Sequence, residues 1–384
     1  MSDDTIYKRL IERYRTWLFG MPDSEDLIFM LKLRFSTQEA EFLAKLPFMP
    51  HTLEQLVDKI GVTEAELKTT LAPLLKKGLV MEVKGRTAVR YSLTDSIFIF
   101  YRMPGWKGET DEINRKLAPL ANRYYIRYMG ADFMGHPTKA LRAIPISDTI
   151  RDTRTILPYE DILYYVEQED YHTVSTCACR HRHNLDPEME ICKHETMNCL
   201  HFGKLGRYIV KHGMGKEISR EQTLEILKNA ADAGLVHGIS NYKQGMDTIC
   251  NCCPCCCLFL ENIKMLPPIP IGHQRSNYIV RHNADTCKTC GLCVKRCPMG
   301  ALELKDKTDI PDADDSPKLK PRDLKEIAYD PERCIGCGVC AHKCPTQSLT
   351  LIRRSERDEN IPDNPSDAGK RFLTERKRNF SKIF

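Results

Sequence analysis

The chain has 384 residues, with 57 Lys and Arg against 52 Asp and Glu, a net charge of +5 and 18 cysteines. That length supports about two or three domains with real cores, and so mild a charge does not by itself announce a nucleic-acid partner. Residues 1–10 mix acids and bases where a secretion leader needs an apolar core, and the longest apolar runs, 97–101 and 255–260, are too short to span a bilayer. A secreted disulfide scaffold and a transmembrane protein are therefore excluded, and the expectation is a reduced, cytoplasmic protein.

In chain order, residues 25–45 carry one helical apolar period and 53–60 a short one ended by Gly61. Thr63 is placed to cap a third helix, with Glu66 closing a capping box, and that helix runs through Leu67, Leu71 and Leu75 to Gly78. Residues 79–83 and 88–93 then alternate as a hairpin with Lys84, Gly85 and Arg86 at its tip. Three helices and a hairpin resemble the winged helix-turn-helix superfamily, whose bacterial members are mostly transcription regulators. The resemblance implies a third helix in the major groove and Arg86 near phosphates. That helix, however, offers Glu64, Glu66, Lys68, Thr69, Thr70, Lys76 and Lys77, with no Arg or Asn suited to bidentate base contacts. The expectation for residues 1–105 is a winged-helix-like domain used for dimerisation or partner docking, in preference to specific DNA recognition.

Residues 106–275 are expected to form a cysteine-rich α/β domain. Residues 158–168 predict a helix, and 171–176 a strand that delivers Cys177, Cys179 and Arg180. Cys192 and Cys199 follow in a loop with His181, His183, His194 and His201. Ser219 opens a helix through Leu224, Leu227 and Ala230 to Gly234, and a further strand or loop reaches Cys250, Cys252, Cys253, Cys255, Cys256 and Cys257. Ten thiolates this crowded repel one another unless a cation neutralises them, so metal or cluster ligation is the leading expectation. Cys177, Cys179, Cys192 and Cys199 would make one set, and the 250–257 run another or the completion of the first. Strained redox disulfides come second, and inert thiols account for one or two of the ten at most. The histidines are read as structural, although His201 and His237 sit beside the right segments. Gly213-Met214-Gly215-Lys216 lacks the rest of a phosphate loop, and no dinucleotide fingerprint follows a strand.

The strongest pattern comes last. Cys287, Cys290, Cys293 and Cys297 followed by Pro298 repeat 47 positions later as Cys334, Cys337, Cys340 and Cys344 followed by Pro345. Gly291 lands on Gly338, Val280 on Ile327, and Leu302 and Leu304 on Leu349 and Leu351. Strand, ligand loop, helical turn and closing strand are thus used twice. Residues 278–352 resemble the bacterial two-cluster ferredoxin family. The resemblance implies two 4Fe-4S clusters and low-potential one-electron transfer, with each run's fourth cysteine serving the other cluster. Cluster one would be held by Cys287, Cys290, Cys293 and Cys344, and cluster two by Cys334, Cys337, Cys340 and Cys297. Paired zinc sites are the weaker alternative. The chain departs from the family in having 36 residues between Cys297 and Cys334, and the insert 305–325, rich in Asp, Pro and Lys, reads as an exposed loop.

Cys177-Ala-Cys179-Arg180, the Ser219 helix ending Gly-Leu-Val-His and Cys250-Asn-Cys252-Cys253 are similar to features of uncharacterised ferredoxin-like proteins of anaerobic bacteria. That resemblance implies cluster binding and an electron-transfer role without an established substrate, and the neighbouring ferredoxin-type repeat favours iron over zinc in the central region. Residues 355–384 read as a flexible basic tail, with Lys370, Arg371, Arg376, Lys377 and Arg378 among Phe372, Phe380 and Phe384. The expected whole is an α+β multidomain protein: a winged-helix-like domain (1–105), a cysteine-rich domain with a further cluster or metal (106–275) and a two-cluster ferredoxin domain (276–354). It would pass electrons to or from a partner oxidoreductase, with oligomerisation through the N-terminal domain. The rivals are a redox-responsive winged-helix regulator and a reductase that binds substrate at the central metal.

Overall fold

The computed structural model describes residues 3–130, 132, 135–260, 273–307, 324–355 and 360–378. The N-terminal part comprises α1 (Asp3–Arg15), α2 (Leu27–Arg34), α3 (Thr37–Leu43), α4 (Leu53–Ile60), α5 (Glu64–Lys76) and the antiparallel hairpin β1 (Val80–Lys84) and β2 (Val89–Leu93). Residues 25–45, expected as one helix, form two. Ser36 is extended and its hydroxyl accepts from the Glu39 N–H while the Glu39 carboxylate accepts from the Ser36 N–H, so a new helix starts inside a continuous apolar period. Thr52 with Gln55 and Thr63 with Glu66 start α4 and α5 in the same way, and Gly61 ends α4 at φ 77°, a conformation glycine adopts without strain.

Beyond the hairpin the chain enters a π-helical turn, Phe98–Arg102, then α6 (Met103–Lys107) and α7 (Glu112–Tyr124). The central region follows: β3 (Leu141–Ala143), α8 (Ile162–Gln168), β4 (His172–Ser175), α9 (Ala178–Leu185), β5 (Cys199–Phe202), α10 (Gly203–Lys211), β6 (Lys216–Ile218), α11 (Arg220–Asp232), β7 (Val236–Ser240), β8 (Thr248–Cys252) and β9 (His273–Gln274). These strands form one sheet in the order β6-β4-β5-β8-β7-β3-β9, antiparallel except for the β3–β9 pair. Val174, Leu200, Phe202, Ile239 and Ile249 of the sheet bury against Leu227 of α11 and Ile162 and Val166 of α8. The helix expected at 158–168 splits into a 3-10 turn, Pro158–Glu160, and α8, because the Asp161 carboxylate accepts from the Leu163 N–H and restarts the helix. Cys199, expected in a loop, opens β5.

The C-terminal cysteine runs lie within β10 (Tyr278–His282), α12 (Leu292–Arg296), β11 (Leu302–Asp306), β12 (Lys325–Tyr329), α13 (Val339–His342) and β13 (Leu349–Arg353). The first strand of each half pairs with the last strand of the other, β10 with β13 and β12 with β11. Residues matched by the 47-position repeat therefore interlock, Val280 facing Leu351 and Ile327 facing Leu304. The ends of the insert extend β11 and β12, where Lys325 pairs with Asp306 at 3.0 Å; residues 308–323, the bulk of the expected loop, lie outside the described residues.

The tail expected to be flexible instead carries a docked helix, α14 (Pro365–Glu375). The Asn364 side chain caps it, accepting from the Ser366 and Asp367 N–H groups. Phe372 and Leu373 are buried, Phe372 lies 5.3 Å from the Phe19 ring, and Arg376 pairs with Asp132 at 3.2 Å while stacking on both rings. An amphipathic pattern hidden among basic residues thus fastens the C-terminus to the N-terminal helices. Phe380 and Phe384 lie outside the described residues.

Several junctions join the cysteine-repeat region to the central region, among them the Ile146 N–H on the Cys337 carbonyl at 3.2 Å, the Arg151 N–H on the Leu351 carbonyl at 3.0 Å and two side-chain networks. Arg296 caps the C-terminal end of α11, donating to the Ala231 and Asp232 carbonyls at 2.9 and 3.0 Å, and His342 bridges Asp232 and Asp148. Glu160, 3 % exposed, accepts from Arg353 and Asn277, and Tyr278 donates to it at 3.2 Å.

Candidate metal centres

In the C-terminal region, Cys287, Cys290, Cys293 and Cys344 line one cavity of about 20 Å³, although Cys344 belongs to the second run. Cys297, from the first run, is close enough to Cys334, Cys337 and Cys340 for their charges to act on one another. The cause is local: α12 and α13 each start at a glycine with positive φ, Gly291 at 71° and Gly338 at 79°, and each single helical turn carries its last cysteine toward the other half. Backbone N–H groups approach the sulfurs, Ala301 donating to Cys297 at 3.2 Å and Thr289 to Cys287 at 3.4 Å. Burial pushes Cys293 up to about 11 and raises Cys297 and Cys340. Burial raises Cys344 too, but the Ser348 hydroxyl and the N–H groups of Thr346 and Leu349 outweigh it and leave that thiol below its ordinary range.

A family model described as a 4Fe-4S dicluster domain matches residues 272–348. The C-terminal part of the chain is thus a ferredoxin-type 4Fe-4S domain, built on a mixed helix-and-sheet protein. The chain matches no curated protein. The residues present suit iron–sulfur clusters: eight thiols in two runs, with Cys293, Cys334, Cys337 and Cys340 buried and Cys290 exposed, and with N–H donors aimed at sulfur.

The ten central thiols divide differently from the expected grouping. The Sγ atoms of Cys192, Cys253, Cys255 and Cys256 all lie within 4.8 Å of one another. Individual spacings are 3.9 Å for Cys192–Cys253, 3.7 Å for Cys192–Cys255 and 3.4 Å for Cys255–Cys256. The other six, Cys177, Cys179, Cys199, Cys250, Cys252 and Cys257, line a single cavity of about 40 Å³. The set expected as Cys177, Cys179, Cys192 and Cys199 is therefore divided, Cys192 grouping with Cys253, Cys255 and Cys256. Strand parity explains part of the division, since Cys250 and Cys252 share one face of β8 while the intervening Asn251 bonds to His237 on the other. One tight turn, closed by the Cys257 N–H on the Cys253 carbonyl at 3.1 Å, brings Cys257 back to the cavity and leaves Cys253, Cys255 and Cys256 facing Cys192.

Within the cavity each thiol is in hydrogen-bonding reach of the next, in the order Cys177, Cys179, Cys257, Cys252, Cys250, Cys199. Hydrogen bonds from Cys177 and Cys257 hold Cys179 well below the ordinary thiol range, against burial and with help from the Tyr101 hydroxyl, which donates at 2.5 Å. Cys250 is held low in the same way by Cys199 and Cys252, with Arg102 assisting. In the other set, Cys253 and Cys256 hold Cys255 at about 4.

Arginines surround both sets. Arg180 is wholly buried and donates only to neutral oxygens, the Glu195 and Asn251 carbonyls and Asn198 Oδ1, at 2.7 to 2.9 Å. Among the described residues it makes no ion pair with a carboxylate, and Cys177, Cys253, Cys192 and Cys252 supply the nearby negative charge. Arg182 donates to the Cys256 carbonyl. Arg102 lines the cavity wall, stacked on Phe98 and Trp106. Arg102 and Tyr101 escaped the sequence reading; the signal was available, Arg102 being the only charge in the apolar run 97–106. Four of the histidines bond within the fold: His181 to the Glu109 carbonyl at 2.7 Å, His183 to the Glu190 carbonyl at 2.9 Å, His201 to Ser175 at 2.8 Å, and His237, lowered by burial to about 4, to Asn251 at 2.7 Å; His194 lies near Cys253.

Proposed function

We propose that this chain is an iron–sulfur electron-transfer protein. In this reading cluster one is held by Cys287, Cys290, Cys293 and Cys344, cluster two by Cys334, Cys337, Cys340 and Cys297, and a further metal centre lies in the central domain. The observation that supports it is Cys344 of the second run in one cavity with Cys287, Cys290 and Cys293 of the first, as a pair of interdigitated centres requires. Bound clusters would supply the one-electron chemistry. The chain excludes water from the sulfurs and donates hydrogen bonds to them, and both set the potential. A redox partner protein would complete the path, and among the described residues no helix is long and apolar enough to cross a membrane. Anaerobic purification, iron, sulfide and zinc analysis and the paramagnetic spectrum of the reduced protein test the reading. Two interacting four-iron signals are expected, and zinc without sulfide would overturn it.

A second reading, the redox-responsive regulator, draws support from one contact. The π-helical turn that follows the winged-helix-like hairpin places Tyr101 against Cys179 and Arg102 on the cavity wall, so a change of charge there is felt by the N-terminal domain. Opposing it, α5 presents Glu64 and Glu66 in its first turn, and β1 is packed on α10 through Tyr208, whose hydroxyl donates to the Val80 carbonyl at 2.8 Å.

A further inference from the structure

The four-thiol set and the six-thiol cavity are built for different occupants. Zinc bound to thiolate at about 2.3 Å implies a tetrahedral S–S edge of about 3.8 Å. Three of the six spacings among Cys192, Cys253, Cys255 and Cys256 are 3.4 to 3.9 Å and all lie within 4.8 Å, close enough for a single tetrahedral ion. A cube of four irons puts one iron behind each thiolate and spreads the sulfurs well beyond this spacing. The cavity beside it offers two thiols more than any single tetrahedral ion takes. The ferredoxin-type pocket at Cys287, Cys290, Cys293 and Cys344 supplies an internal scale: about 20 Å³ there against about 40 Å³ here. The lining holds no carboxylate and no histidine, only soft sulfur, apolar surface, Thr248, Tyr101 and Arg102. Soft ligands in a dry pocket suit iron and sulfide. Arg102 on the wall has Asp247 acting on it as well as Cys250, Cys199 and Cys179, but Arg180, wholly buried beside both sets, makes no carboxylate ion pair among the described residues, and a buried cation needs a compensating anion. Thiolates bound to metal provide that anion permanently.

We propose that the six-thiol cavity is a polynuclear iron–sulfur site of its own, held by at least four of Cys177, Cys179, Cys199, Cys250, Cys252 and Cys257, and distinct from a single-metal site at Cys192, Cys253, Cys255 and Cys256. This deepens the electron-transfer reading and rests on it for the redox role, because it divides the central centre into a redox-active cluster and a one-ion clamp. The clamp ties the 253–256 turn to Cys192, and so fixes the segment that carries Cys252 and Cys257 into the cavity.

The test uses the full-length protein, reconstituted anaerobically with ferrous iron and sulfide in the presence of zinc. Iron is expected in clear excess of the about eight that two four-iron clusters take, together with about one further tetrahedral metal. The double variant Cys179→Ser, Cys252→Ser should lose the excess iron and a third paramagnetic signal, while both ferredoxin-type signals and the single ion remain. Cys192→Ser should lose the single ion and retain the excess iron. Arg102→Met, which removes no ligand, should lower the midpoint potential of the third signal alone. A wild-type protein with ferredoxin-type signals but no iron beyond them would overturn the proposal, as would loss of both central metals together on Cys192→Ser with no effect of Arg102→Met on any signal. Absence of the ferredoxin-type signals themselves would instead overturn the electron-transfer reading, leaving excess iron as support for the cavity.

Discussion

Glu160 is the point at which the ferredoxin-type domain can be loosened without touching a cysteine. Its carboxylate accepts from Arg353 at 2.5 and 3.0 Å, from Asn277 at 2.6 Å, from Tyr278 at 3.2 Å and from the Leu157 N–H at 3.0 Å. Glu160→Gln keeps the shape but leaves the Arg353 guanidinium, 16 % exposed, without its counter-charge. Breaking a buried pair from one side costs about 3–5 kcal/mol, and at about 1.4 kcal/mol per tenfold the docked state becomes a hundred- to several-thousand-fold less favoured. Hydrogen exchange at the amides of β10 and β13 in the anaerobic protein should accelerate by that factor, while β4 and β5 in the central sheet keep their protection. Burial raises the Glu160 pKa, but the hydrogen bonds from Arg353, Leu157 and Asn277 more than offset it and leave it depressed. Its contribution is therefore fully present above the unfolded carboxylate value of about 4.3 and disappears as pH falls through the lower folded value. Wild-type β10 and β13 should lose protection below about pH 4, and the Gln variant should lack that acid-dependent step. Exchange in Glu160→Gln within about threefold of wild type at pH 7 would refute the junction's role, a threefold change being well under 1 kcal/mol.

Replacing Cys297 with alanine should damage the centre of Cys334, Cys337 and Cys340 and spare that of Cys287, Cys290 and Cys293; spectroscopic loss confined to the nearer run would reverse the assignment. Gly105 packs directly on the backbone of Ala178, beside Cys177 and Cys179, so Gly105→Ala should cost about 1–3 kcal/mol by overpacking and perturb the central signals before the C-terminal ones, as thermal unfolding and spectra of the same sample can show. Full-length protein should bind duplex DNA only weakly and with a steep salt dependence; tight binding at physiological salt to its own upstream region would favour the regulator. Asn364→Ala, which removes the cap of α14, should cost about 1 kcal/mol and expose the segment after residue 360 to protease.

The C-terminal domain was legible because its ligands are local: four cysteines and a proline per run encode a loop whose geometry scarcely depends on the rest of the chain. The capping box at Thr63 and the helix start at Ser219 were equally readable, each needing only a few residues. The capping box at Ser36 lay in plain sight, but the apolar period running across it concealed the break. The grouping of the central thiols was not readable, since it depends on which face of β8 meets α9 and on a single turn at 253–257. Sequence proximity placed Cys192 with Cys177 and Cys179; the 253–257 turn gives it Cys253, Cys255 and Cys256 as neighbours instead. The tail misled for the opposite reason. Its basic residues dominated the composition, while the few apolar ones that dock α14, among them Phe372 and Leu373, were too sparse to stand out.

The position of α11 gives these separate sites a common physical frame. Its last turn carries Ala230, which packs with Leu235, Cys253 and Cys256 of the four-thiol set. The Ala231 and Asp232 carbonyls one residue further on accept from Arg296, the neighbour of Cys297. The same helix end thus touches the central thiols on one side and the second C-terminal group on the other, with no loop between them. A rigid route of this kind keeps the distance between redox centres fixed, and electron transfer depends on distance more than on sequence. At the far wall of the six-thiol cavity Tyr101 and Arg102 belong to the turn that leaves the N-terminal hairpin. Under the proposed electron-transfer role, the 253–256 turn beside α11 would be the packed medium between the second C-terminal group and the six thiols: the single ion would hold that medium in place, and the cavity walled by Tyr101 and Arg102 would exchange the electron.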